Sequence, residues 1–199
     1  VACIGNSITY GAGINNNKQN SYPAQLQAML GEGYEVKNFG VSATTVLSEG
    51  NYPYIKTKQY EESLKYNPDI VFIKMGTNAA ANRNVNQRPR FAQEYGKIVD
   101  TYRNLPSKPK VILLTPVRSF LERDHSDAVI SNEIIPVIKQ TAYERGLDII
   151  NLHNLFGDKW KEYLMPDKLH PSSIGAGRIA TKLYNYLTLN VSSQSDVIS

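Results

Sequence analysis

Two rhythms alternate along the chain. Short, nearly continuous apolar runs at residues 1–4, 34–39, 69–75, 111–114 and 147–152 have the length and composition of strands buried on both faces. Between them, apolar residues recur at helical spacing and predict helices over 22–30, 55–66, 90–104, 127–145 and 173–187. The first of these carries Leu26, Met29 and Leu30 on one face and stops at Gly31, and the second stops at Asn67-Pro68. The fourth stops at Gly146 and has to accommodate Pro136. Strands that alternate with helices predict right-handed crossovers and a five-stranded parallel sheet covered on both faces.

The length of 199 residues suits one α/β domain with a full core. No repeat or linker divides it, so residues 1–189 form a single domain and 190–199 a polar tail that is expected to fray. A net charge of +4, spread without long basic blocks, gives no electrostatic footprint for nucleic acid. No run approaches the ~20 apolar residues of a membrane span. The lone Cys3 rules out an internal disulfide and a cysteine-based zinc cluster, and reads as an apolar filler of the first strand. No His/Asp/Glu spacing suggests a metal site, and no cofactor is expected. The chain opens in mid-strand, which leaves room for an export signal ahead of it and a secreted or periplasmic location.

Candidate chemistry gathers where the strands end. In a parallel sheet all the carboxyl ends share one edge, where open α/β sheets bind ligands. Gly5-Asn6-Ser7, Gly40 and Gly76-Thr77-Asn78 each follow a predicted strand, so three loops distant in sequence become neighbours. Asp167 and His170 follow the last strand, free to fold over the same edge. Ser7 has the hydroxyl that acyl transfer needs, and His170 is an imidazole able to take its proton. Asp167, three residues earlier, can accept the ring's Nδ1–H and fix its tautomer. The Ser7 and Gly40 backbone N–H groups and the Asn78 amide are candidate donors to an oxyanion. Singly, each has a plainer reading: Ser7 and Asn78 as helix caps or loop residues, Gly40 as a turn glycine.

Together these segments resemble the four sequence blocks of the SGNH hydrolases, also called the GDSL esterase/lipase superfamily. The blocks read Gly5-Asn6-Ser7-Ile8-Thr9, Asn38-Phe39-Gly40, Gly76-Thr77-Asn78-Ala79 and Asp167-Lys168-Leu169-His170-Pro171. The resemblance implies a flavodoxin-like three-layer α/β/α sandwich and metal-free ester hydrolysis through an acyl-enzyme. It implies Ser7 as nucleophile, His170 as base, Asp167 as the residue orienting that base, and Gly40 and Asn78 in the oxyanion hole. Thr9 stands where a G-x-S-x-G nucleophile elbow would have glycine, which argues against the α/β-hydrolase fold.

Two departures remove negative charge: Asn6 replaces the usual Asp before the nucleophile, and Ala79 the usual Asp after the oxyanion Asn. With Arg118 and Lys168 nearby in this reading, the pocket is expected to tolerate an anionic ester such as an acetylated acidic sugar. Asn6, Arg118 and Lys168 are accordingly candidate substrate contacts. His125, among Glu122, Arg123, Asp124 and Asp127, reads as a solvated loop residue or a substrate contact, and His153 as a structural histidine. Tyr10, Tyr22, Tyr52 and Tyr54 flank the site loops and either stack on sugar rings or pack. Trp160 is a packing residue or a rim contact. Polar loops rich in Asn and Tyr favour removal of O-acetyl groups from a carbohydrate, a small-molecule or glycan ester. The alternatives are a lysophospholipase or thioesterase of the same superfamily, or a glycan-binding module that has lost its chemistry.

Overall fold

A computed structural model describes residues 1–189; the predicted polar tail lies outside them. Strands β1 (Ala2–Gly5), β2 (Lys37–Asn38), β3 (Ile70–Lys74), β4 (Lys110–Leu114) and β5 (Asp148–Ile150) form one sheet in the order β2-β1-β3-β4-β5. Every neighbouring pair is parallel. The intervening helices are α1 (Ser7–Tyr10), α2 (Asn17–Asn20), α3 (Tyr22–Leu30), α4 (Lys58–Tyr66) and α5 (Phe91–Arg103). They continue with α6 (Asp127–Val129), α7 (Ile135–Arg145), α8 (Trp160–Tyr163) and α9 (Ser173–Thr188). This is the expected flavodoxin-like three-layer α/β/α sandwich.

Period-two alternation along the strands feeds two separate cores. Ala2 and Ile4, Val71 and Ile73, and Val111 and Leu113 face the layer made by α4, α5 and α7. Cys3, Phe72, Ile112 and Leu114 face α3 and α9. Both faces are apolar, so the strands read as unbroken hydrophobic runs. Cys3 is fully buried, and burial pushes its thiol up to about 12, as expected of a filler. Tyr22 and Tyr54 are fully buried, their hydroxyls bonded to Thr9 Oγ1 and the Phe39 carbonyl, so neither can stack on a sugar.

Two elements differ from expectation. The second strand is only two residues long rather than spanning 34–39. Gln27 of α3 claims the missing half: its Nε2 donates to Tyr34 O at 2.9 Å and its Oε1 accepts from Val36 N at 2.7 Å. Backbone groups satisfied by a side chain have no need of a ladder partner. The helix predicted over 127–145 is interrupted by a π-turn at Ile130–Ile134. Pro136 thereby falls in the first turn of α7, where its missing N–H costs nothing.

The strand order places the site. After β1 the chain passes through α3 to β2 on one side, then returns through α4 to β3 on the other side of β1. The reversal opens a crevice at the carboxyl ends of β1 and β3. Ser7 follows the first of these strands and Asn78 the second.

Lys74, the last residue of β3, is fully buried. Its Nζ donates to Thr77 Oγ1 at 3.0 Å, and no carboxylate pairs with it among the described residues. Burial lowers its pKa to about 7. The unfolded chain therefore keeps a proton that the folded chain releases between about pH 7 and the ordinary lysine range. Raising pH through that window stabilises the fold. A Lys74→Met variant should be more resistant to urea than the parent at pH 7, with the advantage shrinking towards pH 10. An advantage independent of pH would show that the lysine keeps its proton on folding, its pKa unshifted by burial.

Candidate active site

The turn before α9 is organised by one carboxylate. Asp167 Oδ1 accepts from Leu169 N and His170 N, both at 3.0 Å, while Oδ2 lies 2.6 Å from His170 Nδ1. Met165 N bonds to His170 O and Phe120 N to Lys168 O, which fastens the turn at its base and from the side. Burial raises the Asp167 pKa, but the donors from His170 and Leu169 outweigh it and hold the carboxyl below its ordinary value. An ionised carboxylate only accepts, so Nδ1 carries the hydrogen, and in the neutral ring Nε2 is left as a base. Nε2 lies 2.9 Å from Ser7 Oγ, which belongs to a residue 163 positions away and 9% exposed. The three side chains form one hydrogen-bonded file that can draw the proton from the serine hydroxyl.

Three donors surround that hydroxyl's loop. Ser7 N–H is the first of α1 and has no intrahelical acceptor. Gly76, at φ +127°, turns β3 into the segment that delivers Asn78; a Cβ there would lie 2.6 Å from Ile134 Cγ2. Asn78 is buried, with Nδ2 donating to Thr44 O at 2.9 Å and its own carbonyl accepting from Asn84 Nδ2 at 2.8 Å. One hydrogen of the amide is left for a ligand. Gly40 is needed for close approach: a Cβ there would sit 2.3 Å from Tyr10 N. Its N–H already donates to Asn38 Oδ1 at 2.9 Å, so a ligand would have to share or displace that bond.

Several expectations require correction. Asn6 is 1% exposed and its amide is buried without a partner, so it is no substrate contact. Ala79 is fully buried as well, so neither side chain touches a ligand directly. Arg118 donates through Nε to Asp127 Oδ2 at 3.1 Å and lies over the Phe120 ring, so its charge is already engaged. Of the proposed cationic contacts, Lys168 is exposed, on the outside of the turn at φ +60°. The expected anionic ester thus rests on Lys168 and on an Arg118 already paired with Asp127. Trp160 stacks on Phe120 with ring centroids 4.0 Å apart, and Phe120 in turn holds the turn through Lys168 O. His153 Nε2 meets both Asp127 Oδ1, at 2.9 Å, and Ser131 Oγ, at 3.4 Å. Both partners share one ring nitrogen, so this cluster cannot pass a proton along a file. Tyr10 and Tyr52 are exposed, as stacking on a sugar would require.

His125 is the residue that sequence reasoning misplaced. It is 8% exposed rather than solvated, and its Nε2 lies 3.1 Å from Asn78 Oδ1. Asn84, which pins the Asn78 backbone, gave no signal in the sequence beyond its polar, loop-like surroundings.

A flavodoxin-like sandwich with a Ser-His-Asp file at its carboxyl edge has the layout of an acyl-transfer enzyme. The GDSL-like lipase/acylhydrolase family matches residues 3–178, and the chain belongs to that family. It is 39% identical to an acetylxylan esterase of Xylanibacter ruminicola over 90% of this chain. The match takes in 41% of that protein, so the chain spans about two-fifths of its length. Among solved structures, a carbohydrate acetylesterase from Sinorhizobium meliloti superposes with a TM-score of 0.71 at 17% identity, covering 94% of this chain and 97% of that one. A two-domain esterase active on acetylated mannans, crystallised with mannopentaose, gives 0.69 at 18% identity, over 94% of this chain and 48% of that one. These two likenesses establish the shared fold.

The approach of Gly40 to Tyr10 is tight enough to test alone. Gly40→Ala should cost roughly 1–3 kcal/mol in urea unfolding, because backbone rather than a movable side chain blocks the new methyl. An unchanged midpoint would mean that the loop has room to retreat.

Proposed function

We propose that this domain is a serine esterase that removes acetyl groups from a carbohydrate through an acyl-enzyme. The observation that carries the reading is the file from Ser7 Oγ through His170 Nε2 to Asp167. Ser7 Oγ attacks the ester carbonyl as its proton passes to Nε2, and Asp167 stabilises the imidazolium that results. The carbonyl oxygen takes the negative charge, which the Ser7 N–H and the Asn78 amide stabilise. Gly40 N–H joins them if Asn38 gives it up. Collapse breaks the C–O bond to the sugar, whose oxygen takes the proton from His170 and departs. Water then attacks the acetyl-serine, gives a proton to His170, and releases acetate and the free hydroxyl of Ser7.

Acetylated glycan is favoured over lipid by the family relative, an acetylxylan esterase. The departures at positions 6 and 79 leave the proton-transfer file complete, which argues against a module that only binds glycan.

Hydrolysis of p-nitrophenyl acetate should be fast, that of the octanoate ester slow, and acetate should be released from acetylated xylan or mannan. Ser7→Ala should lower kcat by about 10³-fold or more. Equal rates for Ser7→Ala and parent would overturn the esterase reading, and preference for octanoate would overturn the glycan ester in favour of a lipid.

A further inference from the structure

The inference that follows rests on the esterase reading above and concerns what holds its oxyanion hole in register. An amide helps a developing oxyanion only when its nitrogen faces the charge. Its two ends have nearly the same shape, so the orientation must be held by bonds that one orientation alone can make. Asn78 has such bonds at both ends. Thr44 O can only accept, and Nδ2 donates to it at 2.9 Å. At the other end Oδ1 lies 3.1 Å from His125 Nε2, in a buried contact that requires the ring to donate. A flipped amide would set oxygen against the Thr44 carbonyl and nitrogen against the imidazole N–H.

The loop between β4 and α6 is built to deliver that ring. Asp124 Oδ1 accepts from Asn82 N at 2.7 Å and from His125 N at 2.9 Å, and Asn82 Nδ2 donates to Arg123 O at 2.6 Å. These bonds fasten the loop to the segment just after Asn78. His125 itself takes φ +48°, a left-handed conformation uncommon outside glycine, in which Asn, Asp and His are the non-glycine residues most often found. Asp124 Oδ2 approaches Nδ1 to 3.2 Å without hydrogen-bond alignment. Burial, assisted by the positive field of Arg83, lowers the His125 pKa against the pull of Asp124. A neutral ring with its hydrogen on Nε2 is sufficient for the contact.

We infer that His125 is a positioning residue of the oxyanion hole: its Nε2–H locks the Asn78 amide with Nδ2 turned to the substrate. It acts through Asn78 and touches no reacting atom.

The test uses p-nitrophenyl acetate and four variants: His125→Asn, His125→Gln, Asn78→Ala and the double variant His125→Asn/Asn78→Ala. Asparagine tolerates the left-handed backbone but is too short to place a donor where Nε2 stands. Glutamine restores a donor at that reach. His125→Asn should lower kcat about tenfold with KM and thermal midpoint near those of the parent, and His125→Gln should recover most of the loss. Asn78→Ala should lower kcat by roughly 10²–10³-fold, and His125→Asn should cost nothing further in that background. The inference is overturned if His125→Asn leaves kcat unchanged, if glutamine fails to recover it, or if the same loss persists without the Asn78 amide. Those outcomes leave the esterase reading standing, which fails instead if Ser7→Ala retains full activity.

Discussion

The site depends on one carboxylate that answers three donors at once. Asp167 takes the backbone N–H groups of Leu169 and His170 on one oxygen and the ring N–H of His170 on the other. The first pair shapes the turn and the last fixes the tautomer, so the local fold and the chemistry share a single anchor. A carboxylate with that many donors stays ionised, and an ionised carboxylate is what leaves Nε2 free to act as a base. Without it, the ring would be free to turn and either nitrogen could face Ser7.

The sheet solves the complementary problem of bringing Ser7 to that ring. Parallel strands buried on both faces send all their following loops to one edge, and the reversal beside β1 opens a crevice flanked by the loops that carry Ser7 and Asn78. The arrangement is not free of strain. A lysine ends β3 deep in the protein, the Asn6 amide beside Ser7 is buried unpaired, and glycine at Gly40 alone permits contact with the Thr9–Tyr10 backbone. Departures from the best local choice gather around the carboxyl edge of the sheet, the pattern expected where function constrains packing.

Much of this was legible because the signals were local. The buried strands announce themselves as apolar runs, and Asp167 and His170 stand three residues apart. Ser7, Gly40 and Asn78 could be placed because each follows a strand end. What escaped reading was set by tertiary competition. The second strand lost its first half to the Gln27 side chain, and the π-turn before Pro136 has no composition of its own. His125 sits among charges that suggest solvent. Its burial depends on Asp124 turning to the N–H of Asn82, 42 residues away. The expected preference for anionic esters lost part of its support for the same reason: Arg118 is cationic in sequence, but Asp127 pairs with its Nε.

The central claim is that the Asp167–His170 pair activates the hydroxyl of Ser7, and a fluorophosphonate probe addresses it most directly. The account predicts one phosphonyl group per chain, located on Ser7 by peptide mapping, with esterase activity lost in step with labelling. It predicts that His170→Ala, which leaves Ser7 in place without its base, labels far more slowly. Labelling of a different serine, or activity that survives full modification of Ser7, would contradict it.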